Sequence, residues 1–215
     1  HDALPIWTSG NRVAVPDSIT ASNVFTLSLR FEANGASGVL YGRTSAAYST
    51  APAAFDGLLY IGYDGLLRGG ASYGAAPSTA STVSLVNDGQ WHTATLVANT
   101  DTQSLYLDGM LLGTLNGTIS AGSPPIFNTI GLGYLSTGWP GVSSSGWQSF
   151  NGMIDSVQLS SVARSAHWIE ATHLNQSDFL ATFLSEESPS DGVAPVLVQL
   201  DSAAPQPVTI PYTVS

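Results

Sequence analysis

Between Asp88 and Leu115 the chain reads DGQWHTATLVANTDTQSLYLDGMLLGTL. This is strand, turn, strand, tight turn, strand. Asn87-Asp88-Gly89 turns the chain into the run that begins Trp91-His92, and Asn99 to Thr102 is a polar break. Asp108-Gly109 is a two-residue hairpin signal, because both central residues of a type I′ turn need positive φ. Three strands this close in sequence pair as antiparallel neighbours, which commits the chain to an antiparallel sheet. Asp64-Gly65 is a second tight hairpin of the same kind.

The rest of the chain repeats the pattern. In Val24–Ala33, Phe25, Leu27, Leu29 and Phe31 alternate with Thr26, Ser28, Arg30 and Glu32. A period of two with one apolar side predicts a strand with one buried face. Further strands are expected over 38–43, 58–63, 66–72, 82–86, 91–98, 104–107, 111–115, 129–134 and 152–160. One short helix is expected over about 165–173, with Ser165 capping its first turn and Trp168 and Ile169 anchoring it. Many short strands joined by turns predict an all-β, antiparallel two-sheet sandwich of jelly-roll type. With 215 residues and 43% hydrophobic content, the chain can build one substantial core.

A second landmark stands about forty residues beyond the first. Phe150 to Ala171 reads FNGMIDSVQLSSVARSAHWIEA. The DG-x-WH strand, the hairpin ending in Asp108-Gly109, the F-x-G-x-I-D-x-V-x-L strand and the following Arg164-Ser165 resemble the laminin-G-like branch of the concanavalin A-like jelly rolls. The resemblance covers roughly residues 10–185. It implies a sandwich fold, a rim that hosts ligands, and often one Ca²⁺ held by carboxylate and carbonyl oxygens. The last twenty residues carry Val198-Gln199-Leu200 and VTIPYT from Val208. They resemble the opening strands of a Calx-β-like or immunoglobulin-like repeat.

Charge narrows the function. There are 15 acids against five arginines, there is no lysine, and the net charge is −10. Nucleic acid, which demands cationic stripes, is not an expected partner. The absence of cysteine removes disulfides and zinc–thiolate sites. No apolar run reaches the length of a membrane span. Catalysis is not expected. A glycosidase needs paired carboxylates, and the four glutamates (Glu32, Glu170, Glu186 and Glu187) form no E-x-D-x-E strand. Asp56, Asp64, Asp88 and Asp108 each precede glycine and read as turn residues. No G-x-S-x-G elbow occurs, and His92, His167 and His173 show no metal-ligand spacing. His92 reads as a packing and hydrogen-bonding residue.

Two places carry candidate chemistry. Asp155 falls in register with Met153, Val157 and Leu159, so a carboxylate is expected to point toward the core. It then needs a cation or several donors; a structural Ca²⁺ and a set of backbone hydrogen bonds both satisfy it. The loop LSTGWPGVSSSGWQS, from Leu135 to Ser149, holds Trp139 and Trp147 with Tyr134 at its entrance. Exposed, these rings would stack on sugars; folded back, the tryptophans would plug the end of the sandwich.

The expected organisation is a leader, a domain over 7–185, a linker over 186–195, and the start of a second β-sandwich repeat over 196–215. His1–Ile6 is encodable by the end of a common sequencing-library adapter, so a non-native leader is expected there. The reading is a non-catalytic recognition module of a secreted or cell-surface multidomain protein, of bacterial type. It binds a glycan or an extracellular protein through rim loops and is monomeric as an isolated domain. A structural spacer in an adhesin-like protein and a divergent carbohydrate-active enzyme are the other two readings.

Overall fold

The computed structural model describes residues 13–15, 23–71, 80–117 and 127–176. The leader, the linker and the second repeat expected from the sequence lie outside them. Thirteen strands and one helix follow in order: β1 (Val13–Val15), β2 (Val24–Asn34), β3 (Gly38–Thr44), β4 (Phe55–Ile61), β5 (Leu67–Gly69), β6 (Ala80–Ser81), β7 (Asp88–Asn99), β8 (Thr102–Leu107), β9 (Met110–Asn116), β10 (Phe127–Ile130), β11 (Leu132–Leu135), β12 (Gly146–Ser149), β13 (Met153–Ser160) and α1 (Ala166–Gln176).

They build two sheets. One runs β13-β2-β7-β8-β9; the other runs β1-β10-β3-β4-β5-β6, with the β11–β12 hairpin attached beside β3. The alternation in β2 is realised as expected: Phe25, Leu27, Leu29 and Phe31 are fully buried and pack with Leu40, Leu58, Ile61, Leu96, Leu105 and Ile154 from both sheets. Each such side chain contributes about 1.5–3 kcal/mol of burial, so this layer holds the sandwich together. Asp108 (φ 51°) and Gly109 (φ 80°) form the tight β8–β9 turn that the sequence demands. The 129–134 run is two strands rather than one. Gly131, at φ 76°, breaks it, and its N–H donates to Leu40 O (2.9 Å).

Both sheets are also covered on their outer faces. Helix α1 lays Ile169 and Trp168 over Val97 and Tyr106 of the five-stranded sheet. Ser165 accepts the Trp168 N–H through its hydroxyl (3.3 Å), capping the helix. On the opposite side, Val39 and Tyr60 face outward and pack with Leu135 and Trp139. The molecule therefore has four layers: helix, sheet, sheet and hairpin.

Three further expectations change here. The run 82–86 forms no strand; it connects β6 to β7. Asp56 is not a turn residue. It lies in β4, fully buried, opposite Arg43 of β3, and their side chains pair at 2.8 Å. Asp155 does not point into the core. The ladder between β13 and β2 shifts register between Asp155 and Gln158, and Ser156 takes φ 52°. This bulge reverses the phase of the strand. Ile154 fills the core on one side of it, and Val157 and Leu159 pack against the core on the other. Asp155 is left half-exposed, opposite Arg30, and accepts the Ser156 N–H at 2.7 Å.

Candidate functional site

The site builds up from three glycines. A Cβ on Gly42 would stand 2.9 Å from Gly133 Cα, and one on Gly133 would stand 2.7 Å from Val39 Cγ1. A Cβ on Gly57 would meet Leu135 at 2.7 Å and Trp139 at 3.2 Å. Without side chains at these points, the β11–β12 hairpin and the turn it carries lie directly on β3 and β4. Trp139 fills the resulting space. It is 4% exposed, its ring lies 5.7 Å from Phe55 and 5.8 Å from Tyr60, and the Tyr60 hydroxyl donates to Pro140 O (3.0 Å). Trp139 is therefore the plug, and its faces are not available to a ligand as the stacking role requires.

Trp147 and Tyr134 are placed differently. They are register partners across the hairpin and both are half-buried. Trp147 meets Tyr134 edge-on at 5.8 Å and meets Tyr48, from the 45–54 loop, edge-on at 5.3 Å. Tyr134 continues to Phe55 at 4.8 Å. A connected run of rings thus leads from buried Trp139 out to Tyr48, which is 40% exposed. The Trp147 indole N–H is buried and meets no acceptor among the described residues. The sequence named Trp147 but not Tyr48 as a site residue, and β12 was not legible as a strand, since a Gly- and Ser-rich run carries no strand period.

On the other flank of β12 lies a shallow surface depression lined by Ser37, Tyr63, Leu135, Gly141, Val142 and Gln148 among others. Small-molecule pockets are concave and enclose most of their ligand, so a ligand would lie across this cleft rather than inside it. The Tyr63 hydroxyl, on a side chain 57% exposed, donates to Gln148 Oε1 at 3.1 Å. Arg68 and Asp64 stand next to Gly141, one of the cleft's lining residues. Arg68 donates to both Asp64 oxygens, at 2.7 and 2.5 Å, in the space that Cβ atoms on Gly62 and Gly141 would fill. The Arg68 bond holds the Asp64 carboxyl below its ordinary range.

The sequence profile of the concanavalin A-like lectin/glucanase superfamily matches residues 8–170. The chain belongs to that superfamily. Solved structures repeat the superfamily's sandwich at low identity. Domain 4 of AbnA, an extracellular arabinanase from Geobacillus stearothermophilus solved with arabinotriose, superposes at a TM-score of 0.50 with 16% identity, over 74% of this chain and 71% of that one. The SAP-like pentraxin of Limulus polyphemus gives 0.53 at 17% identity, over 80% of each chain. Trypanosoma rangeli sialidase gives 0.55 at 20% identity, over 83% of this chain but only 28% of the sialidase. No curated protein matches the chain by sequence.

The laminin-G-like resemblance implied a calcium ligand at Asp155, which stands opposite Arg30 of β2. Ca²⁺ takes six to eight oxygens. Asp155 stands at an outward bulge with one oxygen engaged by its neighbour's N–H. Among the described residues no group of three or more His, Asp or Glu gathers to hold a metal ion. The Trp91-His92 pair of the resemblance does organise a polar cluster. His92 Nδ1 lies 2.8 Å from Asp108 Oδ2, and its Nε2 lies 3.2 Å from Asp88 Oδ1. Asp108 also accepts the Thr93 N–H (2.8 Å). The bond to Asp108 holds His92 above its ordinary pKa, against burial. Burial raises the Asp108 carboxyl, but the bonds from His92 and the Thr93 N–H outweigh it and leave it below its usual range. This cluster ties β7 to the turn under α1, which is a structural task.

Proposed function

We propose that the domain is a non-catalytic recognition module that binds a carbohydrate chain through the ring group around Trp147, within an extracellular or cell-surface multidomain protein. The carrying observation is Trp147 itself: half-buried, held edge-on by Tyr48 and Tyr134, and carrying a buried N–H that meets no acceptor among the described residues. An unsatisfied buried donor costs about 1–3 kcal/mol, and such costs are more readily kept at a ligand site than in a plug. Rings fixed by neighbours present apolar faces to sugar C–H groups at little entropic cost. A domain with the same sandwich has been solved with arabinotriose, so the architecture is compatible with a sugar site.

The acids support a non-catalytic reading. Hydrolysis of a glycosidic bond needs two carboxylates facing one another across the substrate. Of the eight acids among the described residues, four are paired: Asp56 with Arg43, Asp64 with Arg68, and Asp88 and Asp108 with His92. The spacer reading draws on the burial of Trp139, but it gives no reason for the ring run to continue outward to Tyr48. The test is a glycan microarray followed by calorimetry on the hits. Binding of one saccharide class by the folded wild type is expected; a folded domain that binds none would leave the spacer reading in its place.

A further inference from the structure

We infer that the site takes uncharged saccharides and turns away acidic ones, and that Asp64 is the residue that sets this choice. The inference rests on the recognition reading above.

Recognition of a carboxylated or sulfated sugar uses a guanidinium or ammonium with donors to spare. The chain has no lysine and five arginines. Of the four among the described residues, none offers its charge to the site. Arg43 is fully buried on Asp56. Arg30 lies over the Trp91 ring at 4.8 Å on the far sheet, and Arg164 lies over Trp168 at 4.8 Å beside the helix. Arg68 lies next to Gly141 of the cleft, and both of its terminal nitrogens are committed to Asp64. The two ends of that pair are unequally presented: the Asp64 side chain is 43% exposed and the Arg68 side chain 7%. A ligand arriving beside Gly141 therefore meets the anion of the pair. Arg68 keeps Asp64 ionised, and the net charge of −10 repels in the same direction at longer range. The uncharged polar groups here are the Tyr63 hydroxyl, the Gln148 amide and the Ser145 hydroxyl, held by hydrogen bonds to one another or to the loop, and such groups are partners for sugar hydroxyls.

The experiment compares neutral oligosaccharides with their sialylated, sulfated and uronic-acid counterparts on the intact chain, at low and high salt. Neutral forms should bind. Each added negative charge near Asp64 should weaken binding about 3-fold or more at low salt, and the gap should shrink at high salt. Asp64→Asn should raise the affinity for the acidic forms relative to the neutral forms by about 3-fold or more. If loss of its partner by buried Arg68 unfolds that variant, the double variant Asp64→Asn/Arg68→Gln should still narrow the gap, since it removes the exposed anion without leaving a stranded cation. Acidic glycans bound as tightly as neutral ones would overturn the inference and leave the recognition reading standing. A gap that ignores both salt and Asp64 would overturn the assignment to Asp64. Failure of the folded wild type to bind any glycan would overturn the recognition reading, and this inference with it.

Discussion

The two tryptophans of one short segment have opposite fates, and substitution separates them. Trp139→Ala leaves a cavity between Phe55, Tyr60 and Leu135 and should cost about 3–5 kcal/mol of stability, read from denaturant midpoints. Trp147→Ala removes a half-exposed ring; it should leave the fold intact and weaken glycan binding by about 1–3 kcal/mol. The sequence placed both residues in the right loop but could not say which was buried, because that depends on Gly57 and Gly133 on other strands. The Arg43–Asp56 pair was hidden in the same way. Asp before Gly reads as a turn, and only the β3–β4 register sets Arg43 opposite it. His92 was legible as a hydrogen-bonding residue, and its neighbours give a pH dependence. Its pKa is raised, so its contribution to stability is complete below about pH 6.5 and is lost as pH rises through the folded-state value. Asp108 and Asp88 are lowered, the latter first by the Gln90 N–H; their contribution is present above about pH 3.9 and is lost as pH falls through the folded values. The cluster therefore stabilises most between about pH 4 and pH 6.5. Melting temperatures of wild type and His92→Gln across pH should differ most in that window and converge above it; a difference that instead grows with rising pH would contradict the assignment.

At the scale of elements, strand periodicity located most of the sandwich, and local irregularities decided the site. The β13 bulge turns Asp155 outward, whereas an unbroken period of two would have buried it. Melting in EDTA and in excess calcium should accordingly give the same midpoint if Asp155 is the only candidate ligand. A fall of several degrees in EDTA, abolished in Asp155→Ala, would show that the bulge does hold a cation, since a ligand that binds only the folded state raises its stability. The β11–β12 hairpin was invisible as a strand pair because its sequence lacks alternation; its position follows from close backbone approach. Gly133→Ala should therefore cost about 1–3 kcal/mol through contact with Val39. Gly138→Ala, which meets nothing within 4 Å, should change stability by no more than about 0.5 kcal/mol. Equal effects of the two would mean that the hairpin does not lie on β3.

For the molecule as a whole, the two-sheet sandwich and its superfamily were readable from the turn signals and the paired motifs, because these encode backbone geometry. The ligand was not, because it depends on which rings and charges the covering hairpin leaves outward. The four layers are built from the described residues, the last of which is Gln176, and the superfamily profile match ends at residue 170. Truncation after Ser190 should therefore shift the unfolding free energy by less than about 2 kcal/mol; a larger loss would make the tail part of this sandwich. The most direct test of recognition is retention on neutral polysaccharides, compared between wild type and Trp147→Ala at matched thermal stability. Retention by the wild type and its loss in the variant is the predicted result. Equal retention by both, or none by the folded wild type, would contradict it.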